Sequence, residues 1–155
     1  MNGGCLDVAV SNAVDSRGIN HWSIHLYKEV DDPPLQTNGD PPHRTVYQCV
    51  GDLYNFRVTT NNNYDPTQEP ALFETIRFTE GIVDVDMRDA DEALRAVPVD
   101  NTSWEYSSQI WVFDGLDALY DMELFPDDHF AAAHAMLCHI HQGAEDMPAE
   151  MDLYD

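Results

Sequence analysis

Trp104-Glu105-Tyr106-Ser107-Ser108-Gln109-Ile110-Trp111-Val112 is where a loop rich in Asp, Asn, Thr and Ser gives way to an apolar pattern that continues from Phe113 to Leu124. Val112, Leu116, Leu119 and Met122 recur at helical spacing and Pro126 stops the pattern, which predicts a helix over Ser107–Leu124. Ser107 or Ser108 can serve as its N-cap, the hydroxyl accepting from a backbone N–H that the first turn leaves without a partner. A helix start also concentrates positive potential and free donors, which suits a nucleophile or an anion. The two serines therefore read either as a plain helix start or as the centre of a site.

Upstream, Asn20-His21-Trp22-Ser23-Ile24-His25-Leu26-Tyr27 is the cleanest strand pattern in the chain. Trp22, Ile24 and Leu26 fall on one face and His21, Ser23, His25 and Tyr27 on the other. Leu6–Ser11, Thr45–Val50 and Tyr54–Thr60 read as further strands; in the last, Phe56 and Val58 alternate with Asn55, Arg57 and Thr59. Asn12–Gly18 reads as a turn. Asp31–Pro42, with four prolines and Asn38-Gly39, and Asn61–Pro70 read as loops. Leu72–Phe78 and Ile82–Val85 are short elements whose type the pattern leaves open. Asp89–Ala96 predicts a short helix stopped by Pro98, Val99–Ser103 a polar connector, and Asp127–His141 a last helix closed by Gly143. Strands followed by helices predict an α+β domain over residues 1–143, an antiparallel sheet from the N-terminal half packed against two to three C-terminal helices. Residues 144–155, with five acids, read as an acidic flexible tail, and no internal repeat is visible.

At 155 residues with 43% apolar content, the chain is long enough for one well-buried core. Its 29 acidic residues stand against 7 basic ones, with Lys28 the single lysine, for a formal net charge of −22. Such a charge repels phosphate backbones and anionic bilayers, so neither nucleic acid nor a membrane is an expected partner. No apolar run approaches the ~18–20 residues a bilayer-spanning helix needs. Met1-Asn2-Gly3-Gly4-Cys5 lacks the charged-then-apolar order of a secretory signal, and Cys5, Cys49 and Cys138 are odd in number and far apart. Together these predict a soluble, cytoplasmic protein with reduced thiols, whose oligomeric state the sequence leaves open. Asn101-Thr102-Ser103 has the form of a glycosylation sequon and reads as an unused loop.

Several side chains suit chemistry. His21, near-neutral in pKa and at the start of a strand, is of the type that serves as general base. His25 shares its face, but four residues at ~3.3 Å each put the two roughly 13 Å apart, too far for one metal. Arg57, one of few cations, can fix a carboxylate or an enolate, or form a structural ion pair. His134, Cys138 and His141 lie on one face of the last helix, but one ion normally reaches only an adjacent pair of them, and Cys138 beside Leu137 and Ile140 reads as core. No metal site is expected. There is no glycine-rich phosphate loop, no Gly-x-Ser-x-Gly elbow and no His-Glu-x-x-His.

Asn20-His21-Trp22-Ser23-Ile24-His25-Leu26 resembles the histidine strand of permuted NlpC/P60-type proteins, a branch of the papain-like fold. It is similar to small fungal proteins with an Asn-His-Trp-x-Ile-x-Leu strand followed later by Cys-(Gln/Arg)-x-Trp-Val at a helix start. Here the matching segment is Ser108-Gln109-Ile110-Trp111-Val112, with Ser108 where the pattern has Cys. A hydroxyl needs far more base assistance than a thiol to attack at neutral pH, so the departure turns the expectation away from thiol-peptidase chemistry. The resemblance then implies a cofactor-independent tailoring enzyme of natural-product biosynthesis: a cyclase, isomerase or lyase acting on a small organic molecule. His21 would be its general acid/base, and Ser107 and Ser108 would hold a substrate oxygen. Trp104, Tyr106, Trp22 and Trp111 would wall the pocket, with Arg57 and His25 in support. The alternatives are a serine-variant hydrolase or acyltransferase using Ser108 and His21, and an inactive module that binds a small molecule or a protein.

Overall fold

A computed structural model describes residues 4–28, 44–62, 72–125 and 127–142. The loop readings over 31–42 and 63–70 and the tail 144–155 lie outside the described residues. The chain is α+β. Five strands, β1 (Gly4–Val14), β2 (Asn20–Lys28), β3 (Arg44–Asp52), β4 (Asn55–Asn62) and β5 (Leu72–Ile82), are followed by α1 (Asp84–Arg95), α2 (Ser108–Asp121) and α3 (Asp127–Ile140). The strands form one antiparallel sheet in the order β4-β3-β2-β1-β5.

The period-2 pattern of β2 sets the core. Leu6, Val8 and Val10 pair with Leu26, Ile24 and Trp22, and Ile24 pairs with Tyr47 on the other side. These side chains share one sheet face and are buried with Cys49, Ile76 and Phe78 under the helices. α2 lies on β2 and β3, α3 on β5, and α1 against α2. Leu116 and Leu119 enter the core as their spacing predicts, together with Leu94 of α1 and Leu137 of α3. Gly115 lets α2 come down onto β2, because a Cβ there would stand 3.0 Å from the Ile24 Cδ1 methyl.

Three elements differ from their sequence reading. β5 runs to Ile82, past Phe78, with register irregularities against β1 that hide its period-2 pattern. Ile82–Val85 is no separate element: it is the end of β5 and the first turn of α1, which begins five residues before Asp89. Val83 and Val85 are exposed there, and Asp86 places negative charge in the first turn of the helix. The turn reading over Asn12–Gly18 narrows, since β1 continues to Val14.

The polar face of β2 is closed along its centre, with Ser23, His25 and the neighbouring Asp7 all buried. The His25 ring stacks on Tyr27, centroids 4.4 Å apart. Tyr27 in turn donates to Asp7, and Arg77 reaches both of them. Asn101 of the sequon is committed to the fold, its side chain accepting from the Phe56 N–H and donating to the Phe56 carbonyl.

Candidate functional site

The site begins where two strands part. β2 and β3 are paired from Tyr27↔Arg44 to Ser23↔Gln48, after which β3 continues with β4 to Asp52. The backbone of Trp22 and Asn20 is then left without a strand on that side, and such groups need partners wherever they are buried. The start of α2 supplies them. Ser108 Oγ accepts from the Trp22 N–H at 3.2 Å. Gln109 Nε2 donates to the Asn20 carbonyl at 3.0 Å, and the Asn20 N–H donates to Gln142 Oε1 at 2.7 Å. Gln109 and Gln142 complete the set, Nε2 of the first donating to Oε1 of the second and the Gln142 N–H donating to Gln109 Oε1. A helix end and two glutamines thus stand in for a missing strand, which seats Ser108 against the peptide nitrogen that follows His21.

The backbone distinguishes the two serines. Ser107 is the N-cap: its backbone is extended, and its hydroxyl accepts from the Gln109 and Ile110 N–H groups. Ser108 is the first helical residue, and both serines are buried. The loop ahead of them is clamped by Arg17. Its guanidinium donates to the Trp104 and Tyr106 carbonyls, each at 2.8 Å, and pairs with Asp15 at 2.7 Å. The side chains of Arg17 and Asp15 are 13% and 9% exposed, so this ion pair is largely cut off from water. Asp15 also accepts from the backbone N–H groups of Arg17 and Ile19, which fixes the β1–β2 turn.

His21 stands on the other side of β2, where its ring Nε2 lies 2.8 Å from Gln48 Oε1 on β3. Gln48 pairs with Ser23, so the contact is the diagonal one between neighbouring strands on one face. With a carbonyl oxygen as partner, Nε2 carries the proton and Nδ1 keeps the lone pair. Burial holds the imidazole below its ordinary pKa of 6.5, and the Gln48 hydrogen bond offsets part of that shift. At neutral pH the shift favours the uncharged ring.

Among the described residues no hydrogen bond joins His21 to Ser107 or Ser108. Trp22, Trp111 and Tyr106 are core residues: Trp111 Nε1 donates to the Val97 carbonyl and the Tyr106 hydroxyl to the Pro98 carbonyl. Trp104 is the half-buried ring of the four aromatic candidates. Arg57 is exposed on β4, opposite Val50 and on the face of Gln48 and His21, with no ion pair among the described residues. His25 is on the same face but under Tyr27, away from the junction.

On α3, Cys138 is exposed rather than in the core, because the buried stripe of that helix passes through Ala133 and Leu137. His134 Nδ1 lies 3.5 Å from Cys138 Sγ, whereas the His141 ring packs against Phe113 and Trp22. Among the described residues no three His, Cys, Asp or Glu side chains converge as metal ligands, and no helix is long and apolar enough to cross a membrane.

Sequence reading missed Gln48, Arg17 and Gln142. Gln48 meets His21 across 27 positions, Arg17 the Trp104 carbonyl across 87 and Gln142 the Asn20 N–H across 122, so no local pattern announces these contacts. No protein-family model, curated protein or solved structure matches the chain.

Proposed function

We propose that the β2–α2 junction is a proton-transfer site for a small organic molecule, with cyclisation, isomerisation or elimination as its reaction class. The single observation that carries this reading is the His21–Gln48 hydrogen bond. It supports a neutral imidazole whose Nδ1 is the proton-accepting atom, the state a general base needs near neutral pH. Ser108 Oγ already accepts an N–H, which draws electron density from the oxygen and leaves the hydroxyl proton to give. That favours holding a substrate carbonyl or enolate oxygen over attacking one. Gln48 is a positioning residue here, acting through His21. No redox cofactor has a part in these steps.

The order of a histidine strand and, later in the chain, a serine at a helix start also fits a permuted NlpC/P60-like ancestry with the thiol replaced. A serine-variant hydrolase or acyltransferase is the second reading, favoured by the place of Ser108 as the first residue of α2. An inactive binding module is the third. A His21→Ala variant that keeps the wild-type melting temperature should give, in the source organism, the small-molecule profile of a strain lacking the protein. A wild-type profile from that variant sinks the proton-transfer reading. Covalent addition of a fluorophosphonate at Ser108 would replace it with the hydrolase reading.

A further inference from the structure

From His129 to Ala144 the chain runs 16 residues without an Asp, Glu, Lys or Arg, the longest such run in a protein of net charge −22. Most of that run is α3. Ala133 and Leu137 face the core, while Ala131, Ala132, Ala135, Met136, Cys138 and His139 are exposed and form one contiguous uncharged helix face. Met136 is 53% exposed. Two copies of so acidic a chain repel one another over most of their surface. The α3 face is where they can approach with least repulsion, and its alanines admit close helix packing.

At the border of this face stand His134 and Cys138, one helical turn apart, with Nδ1 and Sγ separated by 3.5 Å. A tetrahedral zinc ion with Zn–S of ~2.3 Å and Zn–N of ~2.0 Å sets sulfur and nitrogen ~3.5 Å apart. The pair therefore already has the ligand separation of one edge of a zinc tetrahedron. The His134 ring is fixed from behind by packing, with Phe130 at 5.4 Å and Phe113 at 5.3 Å between centroids. Cys138 is also the one accessible thiol, since Cys5 and Cys49 are buried and burial pushes Cys49 up to about 12. Two ligands make half of a closed site, and within one chain no third converges among the described residues. An identical copy facing α3 across a twofold axis supplies the other two.

We infer that His134 and Cys138 form a half-site for a soft divalent cation of the zinc class, closed as Cys2His2 by a second copy of this chain docked on the uncharged α3 face. The reaction balances without a redox partner. Two thiols lose their protons as two Zn–S bonds form, two imidazole nitrogens donate lone pairs, and two protons are released. The +2 of the ion replaces two protons, so the already large negative charge of the pair does not grow.

Sedimentation of the full chain under a thiol reductant tests this directly. Zinc should convert monomer to dimer at one ion per two chains, and a chelator should reverse it. Cobalt in place of zinc should give a thiolate-to-metal absorption band in the near ultraviolet. Cys138→Ser and His134→Ala should each stay monomeric at saturating zinc, with circular dichroism unchanged for the exposed Cys138→Ser site. A wild-type chain that stays monomeric with zinc, binds zinc one-to-one, or forms a dimer that persists in Cys138→Ser overturns the inference.

Discussion

The β2–α2 junction and the aromatic layer between α2 and α3 each contain a histidine that burial holds below its ordinary pKa, and they do so in opposite ways. At the junction, His21 has a specific partner, Gln48, and the surrounding backbone is satisfied one group at a time by Ser108, Gln109 and Gln142. In the layer, His141 packs against ring faces and edges, Phe113 at 5.3 Å and Trp22 at 6.2 Å, and among the described residues its buried Nε2 has no hydrogen-bond partner. Trp22 belongs to both regions, its N–H to the first and its indole to the second. A shifted pKa alone therefore does not mark a site. A hydrogen bond to a specific partner, present at His21 Nε2, is what separates the first ring from the second.

If the junction is held by polar contacts, its largest vulnerability is Arg17. Replacing it with Met keeps apolar bulk but leaves Asp15 as an unpaired, nearly buried charge and frees the Trp104 and Tyr106 carbonyls. Breaking such a pair costs about 3–5 kcal/mol. In a chain of this size that lowers the melting temperature by roughly 10 °C. Arg95→Met is the control, because its pair with Asp91 on α1 is 43% and 34% exposed and should cost under about 1 kcal/mol. Thermal melts of equal size for the two variants would show that the junction does not depend on its clamp.

Gln48 sharpens the comparison more finely. Gln48→Glu places a carboxylate on the imidazole, which favours the charged ring, so the His21 pKa should rise from its depressed value, by about 1 unit or more. His141 should be unaffected, since it lies on the opposite side of β2. Titration of the two ring-proton resonances by NMR reads both at once. A His21 resonance that does not move would mean the Gln48 contact does not govern its protonation.

How far these regions can be read in the sequence follows the same division. The alternation of β2 gives its core face, and the apolar spacing of α2 gives its helix and buried leucines, because both depend on neighbours in the chain. The N-cap was legible as one of two serines, and only the backbone conformation at Ser107 chooses between them. α1 was started too late because the pattern over Ile82–Val85 leaves the element type open, and Val83 and Val85 there face solvent. Cys138 was read as core from its apolar neighbours, although the buried stripe of α3 passes one residue earlier. Gln48, Arg17 and Gln142 lay beyond reach for a different reason. A lone glutamine or arginine acquires meaning only from the backbone group it meets, and the fold alone decides which group that is.

The smallest expected effect is on the aromatic layer, and its sign is the informative part. His141→Phe replaces a ring whose buried Nε2 has no partner among the described residues by one that needs none, in a pocket already lined by Phe113 and Trp22. Stability should rise by about 1 kcal/mol at neutral pH. The gain should widen on acidification. The folded pKa of His141 is depressed below 6.5, so between those two values the unfolded chain binds the extra proton, and the wild type loses stability as pH falls below 6.5. A phenylalanine has no such loss. The carboxylates titrate in both proteins and cancel in the difference, so urea unfolding of the pair at pH 7 and pH 5.5 isolates the one ring. His21→Phe removes the same titration but strands the Gln48 carbonyl, so it should flatten the pH dependence while lowering stability at pH 7. Equal gains from both substitutions would erase the distinction between the two histidines, and with it the physical ground for placing the base at His21.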